Sequence, residues 1–406
     1  MNRRNVLFLA GGVAGVAAVG WLLLPQGGKN RVKIVTSMPR TGSAQSQTDA
    51  IVNGIQMAID DYGGEIAGMQ LQHVDMDDAT ASGGRWDAGM EMDNARQAIA
   101  DKDVMVFIGP YNSGAAKVSM PLLNEAGLLQ ISPAATWPGL TKKVPGDEKS
   151  GEPDIYRKSG KITFCRVCPT DDTQGPLTAE FVAKVLKAKT VFILDDKELY
   201  GAGIAGLFHK RCDALGIKVL GHENIVPKQS NYQATIRSIM PQKPDVLYLG
   251  ATSQSGAPQI AIDMKGLGLN CPLIVPDGCY EKAFIDGAGA DTFKALTCYA
   301  TIGGKDPSQM TTGAGAEFVK KYKEKYKTDP EAYAVYGYEA AKVFLEAVKK
   351  VGTKDREAIR KAVLETKDFD KGALGKWSFN ADGDTTLQEL TISKIVDGKF
   401  SPVPQS

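Results

Sequence analysis

The chain has 406 residues, which is too long for one ordinary hydrophobic core and suits two domains of roughly 150 to 200 residues each. Its 48 basic and 47 acidic residues leave a formal net charge of +1, and no basic run is interleaved with aromatic residues, which argues against nucleic-acid binding. Its 6 cysteines are too few for a disulfide scaffold in a chain of this size.

The N-terminal segment predicts export from the cytoplasm. Arg3 and Arg4 precede an apolar stretch from Val6 to Pro25, which is the order typical of a signal sequence. The stretch is also about as long as a membrane-spanning helix, so residues 1–26 are either a signal peptide or an uncleaved N-terminal membrane anchor. The arginine pair leaves the export route open. We therefore expect the remainder in the periplasm or at the outer face of the cytoplasmic membrane, with no cysteine before Cys165 to carry a lipid.

Short β-rich runs alternate with amphipathic helical stretches from Val32 onward, which is typical of parallel sheets flanked by helices. In residues 49–62, for example, apolar residues recur at helical spacing and the pattern ends at Gly63. The elements predicted for the first lobe are strands at 32–37, 69–76, 104–108 and 128–132 and helices at 49–62, 89–100 and 113–126. Together they complete one doubly wound lobe.

A polar segment from Lys142 to Lys161 interrupts the alternation and is predicted to be a surface loop or hairpin. The elements predicted beyond it are helices at 175–188, 201–215, 232–240 and 256–267 and strands at 190–194, 218–221, 246–250 and 273–275. Strands at 295–301 and 389–396 and helices at 318–326, 336–351 and 356–366 follow, and some of these are expected to return to the first lobe. The sequence thus predicts an α/β fold of two doubly wound parallel-sheet lobes.

The strand-to-helix loops are the candidate site, because open α/β sheets bind ligands at the carboxyl ends of their strands. The loop after the strand at 104–108 places Ser113 at a predicted helix N-cap. Free backbone amides, the helix dipole and the hydroxyl suit a carboxylate there. A serine in this position can also simply cap its own helix.

The next parallel strand ends in a second candidate loop, which contains Ala134, Thr136 and Trp137. Neighbouring parallel strands align their carboxyl ends, so Thr136 and the backbone of Ala134 can face the same anion as Ser113. The indole ring of Trp137 either lines the pocket or packs between the prolines that flank it.

Asp277 comes directly after the predicted strand at 273–275 and is the candidate partner of a ligand ammonium group. Because Gly278 follows it, Asp277 can equally be a turn residue. Tyr200, at the start of the helix predicted at 201–215, offers a hydroxyl group to the same cleft.

Other chemistries find little support. Gly201 to Gly206 matches a dinucleotide-binding pattern, but its first glycine lies several residues beyond the strand, and Asp195 and Asp196 would repel a pyrophosphate. The 3 histidines are scattered, with no cysteine at ligand spacing, so neither zinc nor a Ser-His-Asp triad is predicted. Cys165 and Cys168 have redox-motif spacing but point to opposite faces of a strand, so we expect them to be buried or separately paired. No enzyme activity, metal or cofactor is predicted.

Several loop motifs follow one another along the chain, namely Thr41 to Ser43, Gly109 to Gly114, Ile131 to Thr136, Pro169 to Gly175, Tyr200-Gly201 and Pro276 to Gly278. Together they resemble the type I periplasmic binding proteins of ABC importers, in particular the leucine/isoleucine/valine-binding family, over about residues 31–400. The resemblance implies a three-crossover hinge. Residues 31–166 and 302–368 would form lobe 1, and residues 167–301 and 369–406 would form lobe 2.

The resemblance also assigns roles. A serine, an alanine backbone and a threonine hold the ligand α-carboxylate in that family, and these roles fall on Ser113, Ala134 and Thr136. An acidic residue, often glutamate, holds the α-amino group at the position of Asp277, and Tyr200 matches a tyrosine that closes over the ligand. Residues expected to line the cleft are Tyr111, Asn112, Trp137, Tyr200, Tyr336 and Thr252, the last of which lies where the family has a further tyrosine.

The expected function is the capture of a small amino acid, branched-chain by resemblance, by a monomer that delivers it to an ABC permease in the membrane. The same fold serves receptors and regulators, so a ligand-binding sensor for an amide, urea or an aromatic acid is the alternative. No kinase, methyl-accepting or DNA-binding region follows the two lobes, which argues against a sensor. A flavodoxin-like or Rossmann enzyme is the third possibility, and it lacks a supporting motif.

Overall fold

A computed structural model of the protein describes residues 30–404. The predicted signal peptide or membrane anchor at 1–26 lies outside the described residues. Within 30–404, no helix has the length and apolar character that crossing a membrane requires.

The first sheet has six strands in the order β2-β3-β1-β4-β5-β6. Its strands are β1 (Arg31–Met38), β2 (Glu65–Ile66), β3 (Met69–Asp77), β4 (Val104–Ile108), β5 (Leu129–Ser132) and β6 (Phe164–Arg166). All neighbours pair in parallel except β2 and β3. The helices between these strands are α1 (Gln45–Asp60), α2 (Ala88–Ala100) and α3 (Ser113–Glu125). Every residue of β4 is buried, as expected for the centre of a parallel sheet that is covered on both faces.

The second sheet has seven strands in the order β13-β12-β11-β10-β9-β7-β8. Its strands are β7 (Thr190–Asp195), β8 (Lys218–Asn224), β9 (Val246–Gly250), β10 (Leu273–Val275), β11 (Cys298–Gly303), β12 (Leu390–Val396) and β13 (Lys399–Pro402). β12 pairs antiparallel with β11 and β13, and the other pairs are parallel. The helices of this half are α4 (Asp171–Lys184), α5 (Leu199–Ala214), α6 (Gln233–Ile239), α7 (Ala257–Leu267), α8 (Lys282–Ala288) and α9 (Ala290–Ala295).

Three helices between β11 and β12 return to the first sheet. They are α10 (Gly313–Tyr326), α11 (Ala334–Val351) and α12 (Arg356–Leu364). α11 crosses α1 so closely that a Cβ atom at Gly54 would lie 2.1 Å from the carbonyl oxygen of Ala334. Arg356 of α12 donates to the carbonyl of Val104 in β4 over 2.9 Å. The chain therefore passes between the two sheets three times, although the residue boundaries predicted for the lobes stay a prediction.

Arg166, at the end of β6, lies where the chain first passes from one sheet to the other. Its side chain binds a residue at the third of these passages. Its side chain is fully buried, and its Nε donates to Oδ1 of Asp384 over 2.7 Å. Its Nη1 donates to the carbonyls of Ala135 and Trp137 over 2.8 and 2.7 Å. Asp384 lies between α12 and β12, so one buried ion pair holds together segments from distant parts of the chain.

The segment from Lys142 to Lys161 is not the hairpin or plain surface loop that its polar composition suggested. It contains two short 3-10 turns and buries Glu152 and Tyr156. Glu152 accepts hydrogen bonds from the indole Nε1 of Trp137 over 2.7 Å and from the Tyr156 hydroxyl over 2.5 Å. The segment therefore packs behind Trp137 and fixes its ring.

The cysteines are free thiols, and Cys165 and Cys168 are both buried, so the expectation of buried cysteines holds and that of separate pairing does not. Burial raises the pKa of both thiols, which keeps them protonated and unreactive.

Candidate functional site

The carboxyl ends of the two parallel sheets face each other across a cleft. The loops after β4 and β5 lie side by side, because the Trp137 amide donates to Ser113 Oγ over 3.2 Å. Ala134 and Thr136 are buried in the same loop as Trp137. The two loops of the first sheet thus form one wall of the cleft.

Ser113 is not the N-cap of α3. Asn112 has the extended backbone of an N-cap residue, and Ser113 is the first helical residue. The first hydrogen bond within the helix runs from the Ala116 amide to the carbonyl of Asn112, so the amides that precede Ala116 lie at the open N-terminus of the helix. This correction of one position leaves the chemistry unchanged, since those amides and the Ser113 hydroxyl still suit an anion.

Asp277 lies on the opposite side of the cleft, and we call this side the acidic pole. It follows β10 and is 3% exposed. Its Oδ1 accepts hydrogen bonds from the Tyr200 hydroxyl and from Gln174 Nε2, both over 2.6 Å, and its Oδ2 accepts one from the Tyr333 hydroxyl over 2.6 Å. Burial raises the pKa of Asp277, although these hydrogen bonds oppose the shift.

A second buried carboxyl group, that of Asp171, lies near the first. Gln174 Nε2 approaches Oδ1 of Asp171 to 3.4 Å while it binds Asp277, so one amide bridges the two groups. Burial, and then the charge of Asp277, raise the pKa of Asp171 well above its usual range. Arg166, whose positive charge acts on Asp171 in the opposite direction, is itself paired with Asp384 over 2.7 Å. Two buried acidic side chains therefore lie within reach of one amide group at this end of the cleft.

Tyr333 brings the first half of the molecule to Asp277. It precedes α11, its amide donates to Gln47 Oε1 of α1 over 3.1 Å, and its ring meets Tyr111 edge-on with 6.1 Å between centroids. Tyr336 lies behind Tyr333, with 5.5 Å between ring centroids, and its hydroxyl donates to the carbonyl of Gly303 at the end of β11. Tyr336 therefore supports the wall at the crossing between the sheets.

The mouth of the cleft is a crevice with one wall from each sheet. The first sheet contributes Arg85, Trp86, Asn112, Ser113 and Gly114. The second contributes Glu198, Tyr200, Thr252, Gln254 and Ser255. Arg85 and Glu198 form an ion pair of 2.8 Å across it, and Trp86 packs on Gly114. The two halves are thus in contact, as they are in a closed hinge.

Several buried polar groups in the cleft make no hydrogen bond within the described chain. They include the Tyr111 hydroxyl, the Asn112 Oδ1 atom and both side-chain amide atoms of Gln254. Glu281 is also buried, and burial raises its pKa to about 8. Buried polar groups normally have partners, so these atoms are suited to contact a polar ligand.

Sequence reasoning found the strand-end residues and missed the others. Asp171 and Gln174 lie in the motif from Pro169 to Gly175, and their helical spacing of three residues is the signal in the sequence that points to them. Tyr333 and Glu281 carried no local signal. Among residues 30–404, no group of three or more His, Cys, Asp or Glu side chains is arranged to hold a metal ion.

A family model described as "Periplasmic binding protein" matches residues 31–399. The chain belongs to the periplasmic binding protein family. The predicted resemblance and the predicted two-lobe α/β fold are thereby confirmed.

Among curated relatives, this periplasmic binding protein is 29% identical to the Leu/Ile/Val-binding protein BraC3 of Rhizobium johnstonii, over 89% of this chain and 91% of that protein. Among solved structures, it resembles the leucine-binding protein LivK of Thermotoga maritima, with a TM-score of 0.79 and 24% identity over 92% of this chain and 98% of that one. It also resembles LivJ of Streptococcus pneumoniae in complex with isoleucine, with a TM-score of 0.77 and 24% identity over 92% of this chain and 99% of that one.

Proposed function

We propose that this periplasmic binding protein is the exported substrate-binding component of an ABC importer, and that it captures an α-amino acid, with leucine, isoleucine and valine as the first candidates. The observation that carries the proposal is the pair of opposite poles in one cleft. Ser113, Thr136 and the start of α3 offer donors for a carboxylate, and Asp277 offers an acceptor for an ammonium group. The names of BraC3, LivK and LivJ supply the side-chain preference.

The ammonium pole sets the chemical class of the ligand. A buried carboxylate without a cationic partner is disfavoured by on the order of several kcal/mol, and Asp277 lies beside Asp171, which carries the same charge when ionised. An α-ammonium group provides both charge and three donors. The ligand carboxylate would then reach the open amides of α3, which lie on the other side of the cleft.

Capture follows from hinge closure. The ligand would first bind one lobe and then be enclosed as Tyr333 meets Asp277 and Arg85 meets Glu198. Closure excludes water, which strengthens the charged contacts at both poles. A permease that binds only the closed shape would distinguish loaded protein from empty protein. The chain binds and releases its ligand without a chemical step.

The test is calorimetry on the purified chain with the twenty amino acids, simple amides and aromatic acids. We expect saturable binding of leucine, isoleucine or valine and a rise in melting temperature with ligand concentration, because the ligand binds only the folded state. Binding only to molecules without an amino group would contradict the amino-acid assignment and remove Asp277 from its proposed role.

Substitution of Asp277 tests the ammonium pole directly. Asp277→Asn keeps the side-chain volume but removes the charge, so it should weaken amino-acid binding by about 2 to 5 kcal/mol, which is about 30-fold or more. Asp286→Asn is the matched control, since Asp286 lies exposed on α8, and its affinity should equal that of the parent. Equal affinities for the Asp277→Asn variant and the parent would exclude the proposed pole.

A further inference from the structure

Two histidines that are far apart in the sequence meet on the outer side of the second sheet. His209 lies on α5 and His222 on the edge strand β8, and their Nδ1 atoms are 2.9 Å apart. Their ring centroids are 5.1 Å apart, with the ring planes inclined by 52°. The pair leaves no pattern in the sequence, because a helix residue and a strand residue have no fixed spacing.

A carboxylate sets the orientation of His222. Its Nε2 lies 3.0 Å from Oδ2 of Asp195, which also accepts a hydrogen bond from Asn224 Nδ2 over 2.7 Å. An ionised carboxylate can only accept, so Nε2 of His222 carries a proton and donates it. In the neutral ring, Nδ1 of His222 then carries a lone pair, and this lone pair points at His209.

His209 has a second carboxylate on its far side. Asp213, one helical turn further along α5, places Oδ2 3.8 Å from Nε2 of His209. In the metal-free protein the 2.9 Å contact is a hydrogen bond, which His209 Nδ1–H donates to the His222 lone pair. A bound metal ion would replace this proton, and the neutral His209 ring would then carry its proton on Nε2, on the side of Asp213. Metal-binding histidines usually donate their other N–H to a carboxylate, as His222 does to Asp195, whereas Asp213 at 3.8 Å is beyond hydrogen-bond distance of His209. Both Nδ1 lone pairs would then be free to bind the same ion.

We propose that His209 and His222 form a binding site for a divalent late transition-metal ion such as Ni²⁺. Metal–imidazole bonds of about 2.0 to 2.1 Å that end on nitrogens 2.9 Å apart enclose an angle of about 90° at the metal. This is the angle between neighbouring positions of an octahedral or square-planar ion. A tetrahedral zinc ion would require the nitrogens to separate to about 3.4 Å.

Exposure and charge fit the site. The side chains of His209 and His222 are 32% and 23% exposed, so water can fill the remaining metal positions. Asp195 and Asp213 favour a cation. The basic neighbours of His209 on α5 point elsewhere, since Arg211 binds Glu180 and Lys210 reaches the carbonyl of Pro145.

The metal site is separate from the ligand cleft. Tyr200 begins the cleft end of α5, and His209 lies nine residues later, which is roughly 14 Å along a helix. The inference therefore does not depend on the proposed function, and metal binding can be measured without an amino-acid ligand.

The test is isothermal titration of NiCl₂ into the purified chain after removal of any affinity tag. We expect one Ni²⁺ per chain, with affinity reduced at least tenfold in His209→Gln and in His222→Gln. The third histidine supplies the matched control, because His73 lies on β3 of the other sheet, and His73→Gln should bind Ni²⁺ as the parent does.

Two outcomes overturn the proposal: the absence of one-to-one binding, or a loss of affinity in His73→Gln as large as that in the other two variants. His209 lies on the helix surface, so His209→Gln leaves the core intact and decides the question even where His222→Gln misfolds. Asp195→Asn should lower affinity about tenfold while both metal ligands remain, which separates a metal site from a simple hydrogen-bonded pair.

Discussion

Three donors converge on Asp277, and each comes from a different part of the chain. Gln174 belongs to α4, Tyr200 to α5, and Tyr333 precedes α11. Gln174 and Tyr200 belong to the same half of the molecule as Asp277, so they orient its Oδ1 before the ligand arrives, whereas Tyr333 reaches Oδ2 only when the two halves close. Such preorganisation reduces the ordering that binding requires.

Buried Glu91 makes stability depend on pH. Burial raises its pKa to about 8, although Ser37 Oγ donates to its Oε2 over 2.5 Å. The folded state therefore holds a proton that the unfolded state releases near pH 4.5, and the free energy of unfolding falls as pH rises from about 4.5 to 8. The glutamine of Glu91→Gln cannot titrate. The free energy of unfolding of this variant should therefore fall less than that of the parent over the same pH range, by on the order of a few kcal/mol.

Urea denaturation at pH 5 and pH 8 measures the effect. Glu125→Gln is the control, because Glu125 is exposed at the end of α3 and its variant should follow the parent at both pH values. The interpretation fails if Glu91→Gln and the parent lose the same free energy between pH 5 and pH 8.

The residues that sequence reasoning found share one property. Ser113, Thr136 and Asp277 all follow a buried strand closely, so the sheet itself fixes their position. Tyr333 reaches Asp277 only because the two halves of the molecule meet, and such a contact between segments distant in sequence leaves no periodic pattern.

At the scale of elements, α5 can approach the first lobe closely because Gly203 has no side chain. Gly203 faces Trp137 of the first lobe so closely that a Cβ atom there would lie 2.4 Å from the indole ring. Glu152 fixes this ring, so it cannot easily move aside. Gly206 lies on the same helix, with no atom within 4 Å of its Cβ position.

Gly203→Ala should therefore weaken ligand binding without unfolding the protein. Alanine favours the helix by about 1 kcal/mol over glycine, while the new methyl group opposes closure by about 1 to 3 kcal/mol, which is roughly a 5- to 150-fold loss of affinity. Calorimetry with the ligand and thermal melting without it separate the two effects. Gly206→Ala gains the same helix preference and should bind as the parent does; a parallel loss in both variants would point to a cause within the helix.

The alternation of strands and helices was predictable because buried parallel strands read as continuous apolar runs, as β4 does. The hairpin partners β2 and β13 were missed, since both are short and mostly unburied. The segment from Lys142 to Lys161 was misread because most of its residues are polar, whereas its structural role depends on Glu152 and Tyr156 alone.

At the scale of the molecule, the structure has the two lobes in contact through Arg85 and Glu198, Tyr333 and Asp277, and Gln47 Nε2, which donates to the carbonyl of Tyr280 over 3.2 Å. The exposed ion pair contributes little by itself, so closure should depend on the ligand. Small-angle X-ray scattering should give a smaller radius of gyration with ligand than without. A profile that ligand leaves unchanged would contradict hinge closure as the mechanism of capture.

The ion pair between Arg166 and Asp384 has a consequence for the order of folding during synthesis. Arg166 is translated long before Asp384, and a buried guanidinium group without its counter-charge is disfavoured by on the order of several kcal/mol. The helices that cover the first sheet, α11 and α12, are also translated late. The N-terminal half therefore cannot complete its own fold, and the growing chain stays open until most of it has been made. For a protein that we propose to be exported, this delay would suit a translocation channel that threads unfolded chains, which is one of the routes that the N-terminal arginine pair leaves open.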